Sequence, residues 1–205
     1  PTTSILNQAE DIMPVLRYAK QHKGLRERDH GTIVDTSMIE ELYEEREIEN
    51  EIIMALQEDR VEVFYQPIYS VKDDLFHSAE ALARIRDENG NIVPPGRFIH
   101  VAEEKGLIIR LGELVFDKVC RFISEEKPYE YGLQYVEVNL SVIQCAYEHL
   151  ADDFIEIMQH FELDPKYIVL EITESESIKD KETLLENMGK LKEVGVRFAL
   201  DDFGT

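Results

Sequence analysis

The sequence predicts an α/β protein whose strands form a largely parallel sheet covered by helices, in the manner of a barrel. Three observations lead there. Beyond residue 60, apolar strand-like runs alternate with helical stretches, the pattern of a sheet buried on both faces. The first two runs, VEVFYQPIYS and LFHSAEALARI, are separated only by Lys72-Asp73-Asp74, a short turn that favours antiparallel neighbours. Oxygen-bearing side chains then stand near the ends of the runs, at Glu80, Asn139, Glu171 and the pair Asp201-Asp202, spaced by 59, 32 and 30 residues. Those intervals match about two, one and one strand–helix units, with the side chains at the strand ends where barrel enzymes do their chemistry.

A chain of 205 residues is long enough for one substantial core and a short appendage. Its 22 basic and 43 acidic residues give a formal net charge of −21. That field repels a nucleic-acid backbone, so duplex DNA or RNA is not expected as a partner, whereas divalent cations are favoured. Much of the acid is solvated helix surface. No run approaches the roughly 20 apolar residues that span a bilayer, so no membrane contact is expected from this segment. Cys120 and Cys145 lie in no CxxC or Cys/His cluster and read as reduced, half-buried thiols of a cytoplasmic protein. The start lacks both an initiator Met and a secretion signal, and the chain is expected to be a piece of something longer.

Residues 1–35 are expected to form a linker helix running into a polar connector, with Ile5, Leu6, Ile12, Met13, Leu16 and Ala19 on an imperfect apolar stripe. Thr36 or Ser37 caps a long helix to about residue 58, along which Ile39, Leu42, Ile48, Ile52, Ile53 and Leu56 share one side. Its acid run reads as a wet face, with a dimerising or signal-relaying helix as the alternative. The hairpin follows, then a turn at Asn89-Gly90-Asn91 and helices near 96–105 and 110–126. A strand at 135–141, a helix at 146–161, a strand at 168–174, a helix at 181–194 and a strand at 196–202 complete the chain. That is about five strands where a closed barrel needs about eight, so residues 36–205 are expected to be the first part of an incomplete barrel.

Period-two geometry points Glu80, Leu82 and Arg84 to one side of their strand. An inward carboxylate and guanidinium are costly without partners, and they read either as a salt bridge with each other or as functional groups. Asn139, in phase with Glu137 and Ser141, reads as a turn former or a ligand. Glu171 interrupts Ile168-Val169-Leu170 and Ile172, and Asp201-Asp202 follow Phe198-Ala199-Leu200. Each acid alone could sit at a solvated rim; together their spacing places them around one mouth. Four carboxylates and one amide oxygen suit two hard ions, Mg²⁺ or Mn²⁺, better than zinc. Two such ions about 3.5–4 Å apart can acidify a water and neutralise charge on a phosphodiester, so metal-assisted phosphodiester hydrolysis is the reaction class indicated. The EF-hand-like start at Asp87, Asn89 and Asn91 fails, because its sixth and twelfth places are Ile92 and Phe98. Asn89-Gly90 is better read as a turn.

Several motifs then become recognisable in order: Tyr65-Gln66-Pro67-Ile68, EALARIR from Glu80, FIHVAEEKGLI from Phe98, Val138-Asn139-Leu140-Ser141, EITES from Glu171 and DDFGT from Asp201. Together, over about residues 40–205, they resemble the EAL domain, the bacterial family of cyclic di-GMP phosphodiesterases. The resemblance implies a modified TIM-type (β/α)8 barrel with an antiparallel first strand, here its first five or so strands. It implies Mg²⁺ or Mn²⁺ at Glu80, Asn139, Glu171 and Asp201, with Asp202 serving a second ion, and catalysis carried by Glu80, Asp201 and Asp202. Gln66, Leu82 and Arg84 would contact cyclic di-GMP, Arg84 through a phosphate, and the product would be linear pGpG. His100 and Lys105 are mild departures, standing where Pro and Thr are usual. The family's catalytic Lys and its later acids lie beyond DDFGT, so the chain ending at Thr205 is expected to be inactive alone. AEDIMPVLRYAKQHKG is similar to the last helix of GGDEF domains, which implies an upstream GGDEF or sensory domain in the parent, and a homodimer is a further expectation. The rival readings are a receptor that binds cyclic di-GMP without cleaving it and a protein-interaction module.

Overall fold

The computed structural model describes residues 36–173 and 180–201; the expected linker helix at 1–35 lies outside the described residues. The chain divides into two compact units, residues 1–50 and 51–205. Helix α1, Thr36–Gln57, has the expected bounds to within a residue. In the second unit its Ile52 and Ala55 are fully buried, and Ile53 and Leu56 half-buried. Asp59, at φ 54, turns the chain out of the helix. Arg60 fastens that corner, donating to Glu51 Oε1 at 2.7 Å, to Glu58 Oε2 at 2.8 Å and to the Arg86 carbonyl.

The sheet has the order β1-β2-β4-β5-β6, with β3 paired to β2 off that path. Strands β1 (Val61–Ser70) and β2 (Leu75–Arg86) form the expected antiparallel hairpin. Strands β4 (Tyr135–Leu140), β5 (Ile168–Thr173) and β6 (Arg197–Asp201) follow in parallel. With its covering helices this is a partial TIM-like barrel. The two-residue strand β3 (Ile92–Val93) was not expected. It forms because Asp87 accepts the backbone N–H of Asn89 at 2.9 Å and of Asn91 at 2.7 Å, folding the chain back at Gly90, φ +81. Hydrogen bonds from Asn91 hold the Asp87 carboxyl below the usual carboxylate range. The segment is the expected turn, not an ion loop.

Helices α2 (Pro95–Glu104) and α3 (Ile108–Glu126) cover one sheet face. Toward them point Ala79, Ala81, Ile85, Val136, Val138 and Leu140, all buried. Phe116 of α3 stacks on Phe154 at 3.9 Å between centroids, and Tyr65 on Phe122 at 4.1 Å. Burying Phe116 and Phe154 fully is worth about 1.5–3 kcal/mol each, and Tyr65 and Phe122 are half-buried. Both cysteines are fully buried rather than half-buried, and burial pushes the Cys145 thiol up to about 12. Among the described residues no helix is long and apolar enough to cross a membrane.

The helix expected at 146–161 starts later, as α5 (Leu150–His160), and a short helix that was not expected, α4 (Val142–Cys145), precedes it. Ser141 starts α4 with a capping box completed by Gln144. The break between them is held by Asn187, a buried residue of α6 (Lys181–Val194). Its Nδ2 donates to the carbonyls of Cys145 at 3.0 Å and Tyr147 at 2.8 Å, and its Oδ1 accepts from Ala151 N at 3.3 Å. Those backbone groups are satisfied from another helix, so they need no helical ladder of their own. Asn187→Leu should therefore cost about 1–3 kcal/mol, because it leaves the buried Cys145 carbonyl without its partner, whereas the Tyr147 carbonyl keeps the Leu150 N–H. Urea unfolding would show this as a lower midpoint; an unchanged midpoint would mean that Asn187 is no clamp.

Candidate functional site

Side chains alternate along each strand, so the residues opposite the helix-covered ones share the other face. On β2 these are Glu80, Leu82 and Arg84. The antiparallel register sets Gln66 against Glu80, Phe64 against Leu82 and Glu62 against Arg84. In the parallel part, Asn139 is directly opposite Glu171, and Asp201 is paired with Thr173, two residues further on. Gln66, Leu82, Arg84, Glu80, Asn139 and Glu171 thus belong to one face. Asp202 lies outside the described residues, as does the side chain of Asp201.

Within this face one contact is direct. Asn139 Nδ2 donates to Glu80 Oε1 at 2.6 Å, across the 59 residues that separate them in sequence. Asn139 is therefore held as a side chain of the site, not as a turn former. Arg84 does not pair with Glu80. Its guanidinium lies over the Phe64 ring, 5.6 Å from the centroid, and Nη1 donates to the Ala83 carbonyl at 2.8 Å. The neighbouring Arg86 is already committed, donating to both oxygens of Glu62 at 2.7 and 3.0 Å. That pairing holds the Glu62 carboxyl below its usual range.

A cavity of about 330 Å³ opens beside the face, lined by Leu82, Arg84, Pro95, Glu103, Asn139 and Ser141 among others. Two residues were not singled out from sequence, Phe64 under Arg84 and Glu103 in the cavity wall. Phe64 could have been found by pairing the hairpin strands residue by residue. Glu103 could have been found only as an acid one helical turn from Ile99, and the structure brings it to Ser141.

Among the described residues, no three His, Cys, Asp or Glu side chains are grouped closely enough to hold a metal ion. What the structure does show fits a hard cation. With Asn139 Nδ2 given to Glu80, its Oδ1 remains as an oxygen donor beside that carboxylate, and Glu171 is next in register.

A partial barrel with an acid–amide row along its strand ends is the framework of a known class. The chain belongs to the EAL domain family, whose model matches residues 49–205. It is 29% identical over 187 residues to the bifunctional diguanylate cyclase/cyclic di-GMP phosphodiesterase MucR of Pseudomonas aeruginosa, which covers 91% of this chain and 27% of MucR. It is 35% identical over 153 residues to the signaling protein YkoW of Bacillus subtilis, covering 74% of this chain and 19% of YkoW. A solved structure of the PaMucR phosphodiesterase in complex with c-di-GMP superposes with a TM-score of 0.70 and 30% identity, over 78% of this chain and 64% of that one. The chain thus spans about a fifth to a quarter of the length of these two curated relatives.

Asn139→Asp would set a second carboxylate against Glu80. The repulsion at this partly wet face should cost about 1 kcal/mol, or a fall of about 2–4 °C in Tm, measured in chelator. Millimolar Mg²⁺ should close the gap. Equal melting temperatures in chelator would mean that the two side chains do not meet.

Proposed function

We propose that this protein hydrolyses cyclic di-GMP to linear pGpG with the help of divalent cations. The observation that carries the reading is the Glu80–Asn139 contact on the same sheet face as Glu171, Gln66 and Arg84. The relative named as a cyclic di-GMP phosphodiesterase and the c-di-GMP complex of PaMucR support it. Residues 36–205 would be the first part of the EAL domain, residues 1–35 a linker, and a GGDEF or sensory domain would lie upstream in the parent.

Glu80, Asn139, Glu171, Asp201 and Asp202 would hold two Mg²⁺ or Mn²⁺ ions, which when bound acidify water and offset the negative charge that develops on a phosphodiester. Arg84 would take a phosphate of the dinucleotide. Among the described residues it forms no ion pair, so its planar fork is available for two parallel hydrogen bonds to phosphate oxygens. Phe64 beneath it limits the orientations of the guanidinium, so less freedom is lost on binding. Gln66, set against Glu80, brings an amide donor and acceptor to the same end of the hairpin, and Leu82 supplies apolar surface between Glu80 and Arg84. In a protein with a net charge of −21, a dianionic substrate approaches against the field, which makes bound cations and Arg84 the attractive elements.

The test uses the full-length protein with cyclic di-GMP and either Mg²⁺ or Mn²⁺, with pGpG quantified by chromatography. Wild type should turn over and Glu80→Ala should not. Undiminished rates in Glu80→Ala would remove its ligand role, and retention of intact nucleotide by wild type would make the protein a receptor.

A further inference from the structure

We propose that Glu103 is a positioning residue for Asn139, acting through the hydroxyl of Ser141; the inference rests on the function proposed above. It starts from a split in the sheet. Strands β2 and β4 pair only from Ser78 and Tyr135 to Ala81 and Val138. Beyond that point β2 runs on with β1 and β3, while β4 runs on with β5. Leu82–Arg84 and Asn139–Ser141 therefore face each other across a gap, and the 330 Å³ cavity occupies it. Asn139 stands at the edge of that gap, with β4 paired to β5 on its other side and no strand on this one. Among the described residues its side chain has a single partner, Glu80, on the far side.

Helix α2 covers the gap. Ile99 and Glu103, one turn apart on one helix face, both line the cavity. Glu103 Oε1 accepts a hydrogen bond from Ser141 Oγ, two residues beyond Asn139. Ser141 is also gripped by its own turn: Oγ accepts from Ile143 N at 3.3 Å, and the Ser141 N–H donates to Gln144 Oε1 at 3.0 Å. Gln144 in turn is 3% exposed and lies on Gly112 of α3, where any Cβ would come within 1.8 Å of its Nε2. The end of β4 is thus tied to α2 by a carboxylate and seated on α3 by an amide. On the side of the gap, where β2 no longer pairs with β4, these two contacts hold the strand end that carries Asn139.

A second partner that orients a metal ligand typically contributes 10–100-fold in metal affinity. The test is a Mn²⁺ titration of the full-length protein without substrate, read by the free-ion signal in electron paramagnetic resonance. Glu103→Ala and Ser141→Ala should each weaken Mn²⁺ binding by about tenfold, and the double variant no further, because both break one linkage. Glu103→Gln keeps the acceptor oxygen and should stay within about twofold of wild type. Melting curves in chelator check folding, and if Glu103→Ala does not fold, Ser141→Ala and Glu103→Gln carry the test. Unchanged affinity in the alanine variants, additive losses, or a Gln variant as weak as the Ala one would each overturn the positioning role. Wild type that takes up no Mn²⁺ would instead bring down the function proposed above, and this inference with it.

Discussion

The structure depends on one constraint, the strict alternation of side chains across paired strands. Once Ala81, Val138 and Leu170 are buried, Glu80, Asn139 and Glu171 have nowhere to go but the opposite face. A slip of one residue in any strand would drive a carboxylate under the helices, at a cost of several kcal/mol per ion, and would expose the aliphatic residues in exchange. The apolar core thus aligns the polar row. No dedicated interaction among the acids is needed to bring them to one face, and their mutual repulsion is tolerated because the row is open to solvent.

Alternation alone leaves the polar row loose, and the local contacts refine it. The Glu80–Asn139 hydrogen bond spans the place where β2 and β4 part, and the Glu103–Ser141 contact closes the same gap from helix α2. Two arginines on β2 have different fates. Arg86 is spent on Glu62, at the hairpin's far end, and on the Gly90 carbonyl, in the turn between β2 and β3. Arg84 rests on Phe64 instead. One strand therefore carries an arginine in an ion pair and, two residues away, one that among the described residues forms none.

Much of this was legible in the residues. The hairpin, the parallel strands, the bounds of the other helices and the common face of Glu80, Asn139 and Glu171 follow from hydrophobic period and turn chemistry, which act over a few residues. The ordered motifs carried the family as well, since several short patterns at long, fixed separations rarely coincide. Tertiary structure decided what depends on contacts between distant segments. Asn187 holds the turn ahead of α5 from 36 to 42 residues away, a two-residue strand β3 forms on the back of an Asp87 turn, and Arg84 chooses Phe64 over Glu80. Glu103 meets Ser141 across 38 residues. Local pattern specifies which face a side chain takes; which partner it finds there is set by packing between elements, and no window of neighbouring residues contains that information.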